Sequence, residues 1–335
     1  MAEQLGERCG IKEYFSDAGE MLAKSSPNVV HITTPPQSHF ALAKQCLEAG
    51  CHVYVEKPFT VTADEAEALV QMAQRHNLKI TAGHNLQFTL EMLKMRQLVK
   101  EGFLGDKVVH IESHFSYDLG DVSYAAPLLG NRSHWVRQLP GQLLHNILSH
   151  GIAKLAEFLD DDIVDLVALA GQSPKLRSLG QEDLLDEVRV VVRDKRETTA
   201  FFCFTTQVRP GVNQLRIYGN ANSILVDHGS GTIIRFKTRA AKSYLTYFLP
   251  PLHNAAEYFR NACSNVGNFM RRKLYQDAGM RELIARFYES IQTDGAPPIP
   301  YREIVLTARM MDEIFARIYA QGQDDASVTP ASLMR

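Results

Sequence analysis

The sequence predicts two domains: an N-terminal α/β domain whose parallel sheet is incomplete at its start, and a C-terminal α+β domain with a mainly antiparallel open sheet. Near the N-terminus, short apolar runs alternate with helical patterns, which is the βαβ order of a parallel sheet. Beyond Gly105, strand-like segments follow one another instead. At 335 residues, the chain also exceeds the size at which single cores stop growing. We therefore predict domains over residues 1–105 and 106–322, with a disordered tail over 323–335.

The first domain has three predicted strands with helices between them. The first helix, "SHFALAKQCLEAG", ends at Gly50, which is a typical C-cap. The second begins after Thr62, and Glu65 three residues later completes a capping box. A third helix runs from about Leu90 to Glu101. The strands are "VVHIT", "CHVYV" and "LKITAG", at residues 29–33, 51–55 and 78–83.

The first residues depart from this pattern. "AEQLGERCG" has the pattern of a helix end capped by Gly10, and no strand or glycine-rich turn precedes it. A doubly wound sheet binds a dinucleotide pyrophosphate on the turn after its central first strand. No G-x-G-x-x-G occurs anywhere in the sequence. We expect a first βαβ unit of ~30 residues to be missing, through a late start codon or a truncated gene product, so that "VVHIT" lies at an open edge and cofactor binding is impaired.

The second domain is predicted to begin with the alternating strand "KVVHIESHFSY", followed by a helix around Leu143 to Leu159. Two or three helices close the chain, separated by the loop "TDGAPPIP". Further strands are predicted at residues 163–170, 187–193, 198–206, 214–218, 223–227 and 232–237.

Composition excludes several classes of protein. A net charge of −2 gives no general attraction to nucleic acid or to an anionic membrane. No apolar run approaches the ~20 residues that span a bilayer. The five cysteines include no C-x-x-C pair, which favours free thiols in a reducing cytoplasm over a disulfide framework or a metal site.

Lys57 stands directly after the second predicted strand, in the stretch "VYVEKPFT". Open α/β sheets bind ligands at this carboxyl edge. Pro58 disfavours helical dihedrals at Lys57 and allows a cis bond, so the lysine is presented at a fixed angle. The alternative is an ordinary surface lysine after an edge strand.

Two histidines and an asparagine share the helix "LPGQLLHNILSHGIAKLAEFL". Asn146 and His150 are four residues apart and therefore lie on one face of the helix. His145 lies about 140° away from His150 around the helix axis. Only one of the two histidines can therefore point in the same direction as Asn146.

The run "ITTPPQSHFALAKQCLEAGCHVYVEKPFTVTADEAEALVQMAQRHNLKITAGHNLQF" resembles the Gfo/Idh/MocA family of nicotinamide-dependent oxidoreductases, which carry T-P-x-x-x-H and E-K-P motifs in this order. "GFLGDKVVHIE", "LRIYGNANSILVD" and "FYESIQTDGAPPIPYREIVLTARMMDEIFARI" extend the resemblance over nearly the whole chain. The resemblance implies a Rossmann domain binding NAD or NADP, and a second domain whose open sheet often mediates homo-oligomerisation. It also implies a small-molecule substrate, such as a sugar, a polyol or a related hydroxy compound.

The same resemblance implies roles for residues of the first domain. Lys57 corresponds to the family lysine near the nicotinamide and the substrate. Thr34, Pro35, His39 and Glu56 correspond to residues on the nicotinamide ribose side. For His39 the alternative is that it merely caps the following helix.

In the second domain the helix resembles the family pattern G-G-x-x-x-x-D-x-G-x-H, with Gly141 and His150 in register and Asn146 where an aspartate is common. His150 is then expected to exchange a proton with the substrate hydroxyl, and Lys57 to orient that oxygen. An amide only donates and accepts hydrogen bonds, so Asn146 is expected to position the substrate.

Three further residues are candidates for the substrate pocket: Asn85, Trp135 and His145. Trp135 packing under a loop is an equal alternative. The sequence thus predicts an NAD(P)-dependent oxidoreductase. Two alternatives remain open: a non-catalytic homologue that binds a sugar or a protein partner, and hydrolysis or epimerisation of sugars with retained NAD.

Overall fold

The computed structural model describes residues 2–119, 122–238, 243–274 and 277–327. The chain divides into two compact units. The first consists of Met1–Gly83 and Ala285–Ala308, and the second consists of His84–Ile284 and the residues from Arg309 onward. Helix α5 (Leu90–Lys100) belongs to the second unit because it packs against strands of that unit. The predicted domains, 1–105 and 106–322, stay a prediction.

The first unit contains a three-stranded parallel sheet in the order β1-β2-β3. The Thr62–Glu65 capping box is present, and Gly10 and Gly50 both have positive φ, as predicted for helix ends. The elements are α1 (Ala2–Cys9), α2 (Ala18–Ser25), β1 (Val29–Ile32), α3 (His39–Glu48), β2 (His52–Val55), α4 (Ala63–Arg75) and β3 (Ile80–Ala82).

Strand β1 pairs only with β2 among the described residues. A groove of about 710 Å³ borders this strand, lined by Val29, Val30 and His31 together with the segment 11–18 and residues of α2. The open edge agrees with the sequence prediction, and the missing first βαβ unit remains a prediction.

The second unit is built on a seven-stranded sheet in the order β10-β9-β8-β4-β7-β6-β5. Neighbouring strands are antiparallel except β4 and β7, which run parallel. The strands are β4 (Val108–Ser116), β5 (Ile163–Gly171), β6 (Glu187–Asp194), β7 (Thr199–Thr205), β8 (Asn213–Gly219), β9 (Asn222–Asp227) and β10 (Thr232–Lys237).

One helix, α7 (Gln142–Ala156), covers the middle of this sheet by packing on β4 and β7. Gly151 makes the close approach possible, since a Cβ there would lie 2.0 Å from the Phe202 ring. The remaining helices of the chain are α6 (Val122–Gly130), α8 (Pro174–Ser178), α9 (Leu249–Met270), α10 (Ala278–Gln292) and α11 (Tyr301–Ser327), and the last two have residues in both units.

The predicted tail needs one correction. Helix α11 continues to Ser327, because no proline interrupts it before Pro330, so residues 323–327 are helical. Residues 328–335 of that prediction lie outside the described residues. Within the described ranges, no helix is both long and apolar enough to cross a bilayer.

Candidate active site

The carboxyl ends of the three parallel strands lie side by side. Glu56 N donates a hydrogen bond of 2.9 Å to Ile32 O, and Gly83 N donates one of 2.7 Å to Val55 O. These two bonds continue the sheet ladder one residue beyond the strands. The turn after β1, the E-K-P turn and Gly83 therefore line one edge, as the sequence predicted.

Glu56 is held in place by its neighbours. Its Oε1 accepts a hydrogen bond from Tyr54 Oη at 3.1 Å, and its Oε2 accepts one from Lys57 N at 3.1 Å. Gly83 leaves the space that this carboxylate occupies, because a Cβ there would lie 2.9 Å from Glu56 Oε2. The sequence reasoning did not single out Tyr54 or Gly83, although a glycine at the end of a strand is a signal of close approach.

Lys57 follows this carboxylate, and the Lys57–Pro58 bond is cis. Burial lowers the pKa of the Lys57 ammonium, and the negative charge of Glu56 opposes that shift. A lysine with a lowered pKa can stabilise a negative oxygen when charged and exchanges a proton more readily than an ordinary lysine.

His39 is fully buried, and both ring nitrogens face backbone oxygens. Nε2 lies 2.7 Å from Thr34 O, and Nδ1 lies 2.9 Å from Pro58 O and 3.3 Å from Phe59 O. His39 therefore joins the turn after β1 to the E-K-P turn. The sequence suggested either a contact with the nicotinamide ribose or a helix cap, and neither describes this role. Direct contact of His39 with a cofactor stays a prediction, and the burial of the ring disfavours it.

Thr34 and Pro35 are exposed at the turn after β1. Ser38 Oγ donates to Pro35 O at 2.9 Å and lies 2.7 Å from Thr34 Oγ1. The serine fixes the turn, so the Thr34 hydroxyl is presented to a ligand in a defined position.

In the second unit, α7 separates the two predicted histidines as the helical geometry requires. His145 is buried, and its ring stacks on Phe315 with centroids 5.1 Å apart and planes 10° apart. His150 is only partly buried and stacks on Phe115 at 5.8 Å. The stacking places His145 in the core and His150 nearer the surface, and the predicted roles of both stay predictions.

Asn146 is almost fully buried on the same face of α7 as His150. Asn85 lies in a 3₁₀ turn, Asn85–Phe88, and its buried Oδ1 accepts no hydrogen bond from the described residues. A buried acceptor without a partner is costly, so Asn85 is a candidate for a polar ligand. Trp135 is half-buried, with its ring 5.6 Å from that of His134.

Lys154, one turn after His150 on α7, is fully buried, and its Nζ donates to Asn213 Oδ1 at 3.0 Å. Burial lowers the pKa of Lys154 to about 7, against the attraction of Glu91. Glu91 Oε1 in turn lies 2.8 Å from His228 Nδ1. The sequence did not predict this cluster. The available signal was a single lysine in an otherwise apolar helix.

The predicted site residues therefore form two sets. The first unit brings together Thr34, Pro35, His39, Glu56 and Lys57 on one sheet edge. The second unit carries Asn85, Trp135, His145, Asn146 and His150, which lie on α7 and on the 3₁₀ turns Asn85–Phe88 and Trp135–Gln138 that pack against it.

Comparison with protein families gives two matches. Residues 1–84 match the Gfo/Idh/MocA oxidoreductase family with an NAD-binding Rossmann fold, and residues 92–225 match the Gfo/Idh/MocA C-terminal domain.

Individual proteins are similar over parts of the chain. An uncharacterized oxidoreductase of Schizosaccharomyces pombe is 39% identical over 100 residues, which are 30% of this chain and 27% of the relative. A D-glucoside 3-dehydrogenase of Escherichia coli is 30% identical over 105 residues, 31% of this chain and 30% of the relative. The chain thus spans less than a third of these curated relatives.

Among solved structures, the WlbA dehydrogenase of Bordetella pertussis, in complex with NADH and UDP-GlcNAcA, superposes with a TM-score of 0.72. The match covers 96% of this chain and 85% of that one, at 14% identity. At this identity the match shows a shared fold.

Proposed function

The chain belongs to the Gfo/Idh/MocA oxidoreductase family, and from that premise we propose that it is an NAD- or NADP-dependent dehydrogenase acting on a sugar, a polyol or a similar hydroxy compound. The observation that carries the proposal is the E-K-P turn: a lysine whose pKa burial lowers, next to a carboxylate fixed by Tyr54, at the ligand edge of a parallel sheet.

In the proposed reaction Lys57 orients the reacting oxygen of the substrate and stabilises the negative charge that develops on it. His150 exchanges a proton with that oxygen as the bond between the oxygen and its carbon changes between single and double. Asn146 offers an amide for positioning and no proton, since an amide does not titrate.

The residues of the first unit fit the ribose end of a nicotinamide cofactor. Thr34 supplies an exposed hydroxyl, Pro35 lies in the same turn, and Glu56 supplies a fixed carboxylate that can accept from ribose hydroxyls. When bound, the nicotinamide would supply the hydride acceptor or donor. The sequence has no G-x-G-x-x-G, so no residue is assigned to the pyrophosphate.

The sugar class rests on relatives. The Escherichia coli relative is a D-glucoside 3-dehydrogenase, and the Bordetella pertussis structure contains NADH and a UDP-sugar. The free cysteines and the small net charge favour a cytoplasmic protein that binds neither nucleic acid nor membranes. Exposed Val167, Leu169 and Val191 on the face of β5 and β6 support homo-oligomerisation through the sheet.

Calorimetric titration with NADH and with NADPH tests the cofactor assignment. We expect saturable binding of one of them, weakened at least tenfold by Glu56→Ala and unaffected by Glu48→Ala at the exposed end of α3. Absence of binding by the folded chain would contradict the proposal.

A second candidate function is binding without catalysis, since the residues of this chain include no G-x-G-x-x-G turn for a pyrophosphate. A non-catalytic homologue would bind a sugar or a protein partner without NADH or NADPH, so the same titration, repeated with a sugar panel, separates the two functions.

A further inference from the structure

Helix α9 is attached to the sheet through its polar face. It lies along β10, which is the edge strand of the seven-stranded sheet. Asn261 mimics a strand, because its Oδ1 accepts from Ile233 N at 3.0 Å and its Nδ2 donates to Ile233 O at 2.8 Å. The helix therefore satisfies backbone groups that an edge strand otherwise leaves unpaired.

Three more side chains, spaced four residues apart along α9, continue this row. His253 Nε2 lies 2.9 Å from Arg235 O, and Glu257 accepts from Arg235 N at 3.3 Å while its carboxylate pairs with the guanidinium of Arg235. Asn265 Nδ2 donates to Ser230 O at 3.0 Å. The face of α9 that is directed at the protein is thus polar.

The opposite face of α9 is apolar and exposed. Leu252, Phe259, Val266, Phe269 and Met270 are between 60% and 77% exposed. Together with Ala255 and Ala262, the first four form a row spaced by three and four residues, 252-255-259-262-266-269. This spacing is the a/d pattern of a coiled-coil seam, and it contains no charged residue.

The exposed apolar area is large for a surface that stays in water. Nine large apolar side chains of α9 and the preceding turn are at least half exposed: Tyr244, Tyr247, Phe248, Leu252, Tyr258, Phe259, Val266, Phe269 and Met270. With roughly 100 Å² of exposed surface for each side chain, their exposed areas sum to on the order of 900 Å². Typical monomers have apolar patches of about 300–600 Å², and a stable interface covers about 800 Å² per partner.

We propose that α9 is a dimerisation helix that packs antiparallel against α9 of a second copy of this chain. An axis between Arg260 and Asn261 places Phe259 against the partner's Ala262, and Val266 against the partner's Ala255. Phe259 and Val266 then each face an alanine, and Leu252 faces the partner's Phe269 at the two ends of the row. A parallel pair would stack alanine on alanine in two layers and leave voids, so packing favours the antiparallel arrangement.

This surface is separate from the predicted sheet interface. Strand β10, which carries α9, and strands β5 and β6, with exposed Val167 and Val191, are at opposite ends of the strand order. Helix α9 also lies beyond residue 225, where the match to the family C-terminal domain ends. The two surfaces can therefore be tested independently.

The mass of the full chain in solution, measured by sedimentation equilibrium, tests the proposal. We expect Phe259→Glu and Val266→Lys each to halve the mass of the parent assembly, and Leu179→Glu, at an exposed apolar position after α8, to leave it unchanged. Because Phe259 and Val266 are exposed, both variants should keep the circular dichroism spectrum of the parent. A monomeric parent, or variants with the parent's mass, would overturn the proposal.

A cross-link tests the direction of packing. In the antiparallel arrangement Cys263 lies near residue 256 of the partner, so Ala256→Cys in a Cys9→Ser background should give a covalent dimer on incubation with oxidised glutathione. The same variant with Cys263→Ser should give much less, and equal yields would overturn the antiparallel packing. A third experiment sediments the chain with vesicles of phosphatidylcholine and phosphatidylserine. If the parent sediments with the vesicles, Phe259→Glu does not, and both have the same mass in solution, the apolar face binds a bilayer and the proposal is overturned.

Discussion

His39 and Pro58 are nineteen residues apart in the sequence and are joined by a 2.9 Å contact between Nδ1 and the Pro58 backbone oxygen. Because the other ring nitrogen contacts Thr34 O, one buried imidazole sets the relative position of the two turns that carry Thr34 and Lys57. The geometry of the lysine therefore depends on a residue that need not touch any ligand.

We expect His39→Ala to lower the free energy of unfolding by about 2–4 kcal/mol, because it removes the polar contacts of a buried ring and leaves carbonyl groups of two turns without that partner. Urea unfolding followed by circular dichroism measures the change. His76→Ala, an exposed histidine at the end of α4, should change it by less than about 0.5 kcal/mol. Equal effects would show that His39 does not join the turns.

Lys57→Met should lower kcat by about 10²–10⁴, since it removes the group proposed to stabilise charge and exchange protons. Lys44→Met on the exposed face of α3 is the matched control and should leave kcat unchanged. Because burial lowers the pKa of Lys57, kcat/KM of the parent should fall as pH rises, at a lower pH than an ordinary lysine would give. Lys57→Arg cannot deprotonate in this range and should lack that basic limb, so an unchanged limb would exclude Lys57 as its origin.

The two histidines of α7 should separate into different phenotypes. His150→Ala should lower kcat by about 10²–10⁴ with little loss of stability. His145→Ala should instead lower the free energy of unfolding by about 1–3 kcal/mol, because it leaves a gap beside Phe315 in the core. Steady-state kinetics and urea unfolding of both variants make the comparison, and reversed phenotypes would refute the assignment.

Lys154 should make stability depend on pH in a defined direction. Its folded pKa of about 7 lies below the ordinary value of 10.5, so between these pH values the unfolded chain binds more protons. Stability should therefore rise with pH over this window, by up to about 1.4 kcal/mol per pH unit from this group. The groups facing Lys154 are Asn213, Glu91, His228 and His114.

The measurement for Lys154 is the free energy of unfolding at several pH values between 7 and 9.5. The difference between the parent and Lys154→Met should grow with pH in favour of the parent, since methionine does not titrate. Lys175→Met, an exposed lysine on α8, should give a curve parallel to the parent. A pH-independent difference between the parent and Lys154→Met would mean that Lys154 is charged in the folded chain throughout.

Much of this fold follows from local sequence patterns. The capping box at Thr62, the glycine cap at Gly50 and the alternating strands of the second domain were all predicted, because each depends on residues close together in the chain. The family motifs likewise pointed to Lys57. The parallel pairing of β4 with β7 was not predicted, because these strands are separated by α7 and two other strands, and pairing over that distance has no local signature.

The contacts that the sequence did not reveal are long-range. The position of His39 between two turns, the space that Gly83 leaves for Glu56, and the buried environment of Lys154 each require knowledge of what packs opposite. In helix α9 the sequence pattern is misleading. Its apolar stripe is typical of a buried face, whereas the polar residues His253, Glu257 and Asn261 contact the sheet.

Hydride transfer is the reaction that the proposed dehydrogenase performs, and single-turnover nicotinamide absorbance of the full chain measures it directly. The chain is mixed with NAD⁺ or NADP⁺ and a panel of glucosides, inositols and UDP-sugars. We predict reduced cofactor in one burst per active site with at least one of these substrates, lost in Lys57→Met and kept in Lys44→Met. A folded parent that binds the cofactor but reduces none of it with any of these compounds, or a Lys57→Met variant as fast as the parent, would contradict the proposed dehydrogenase.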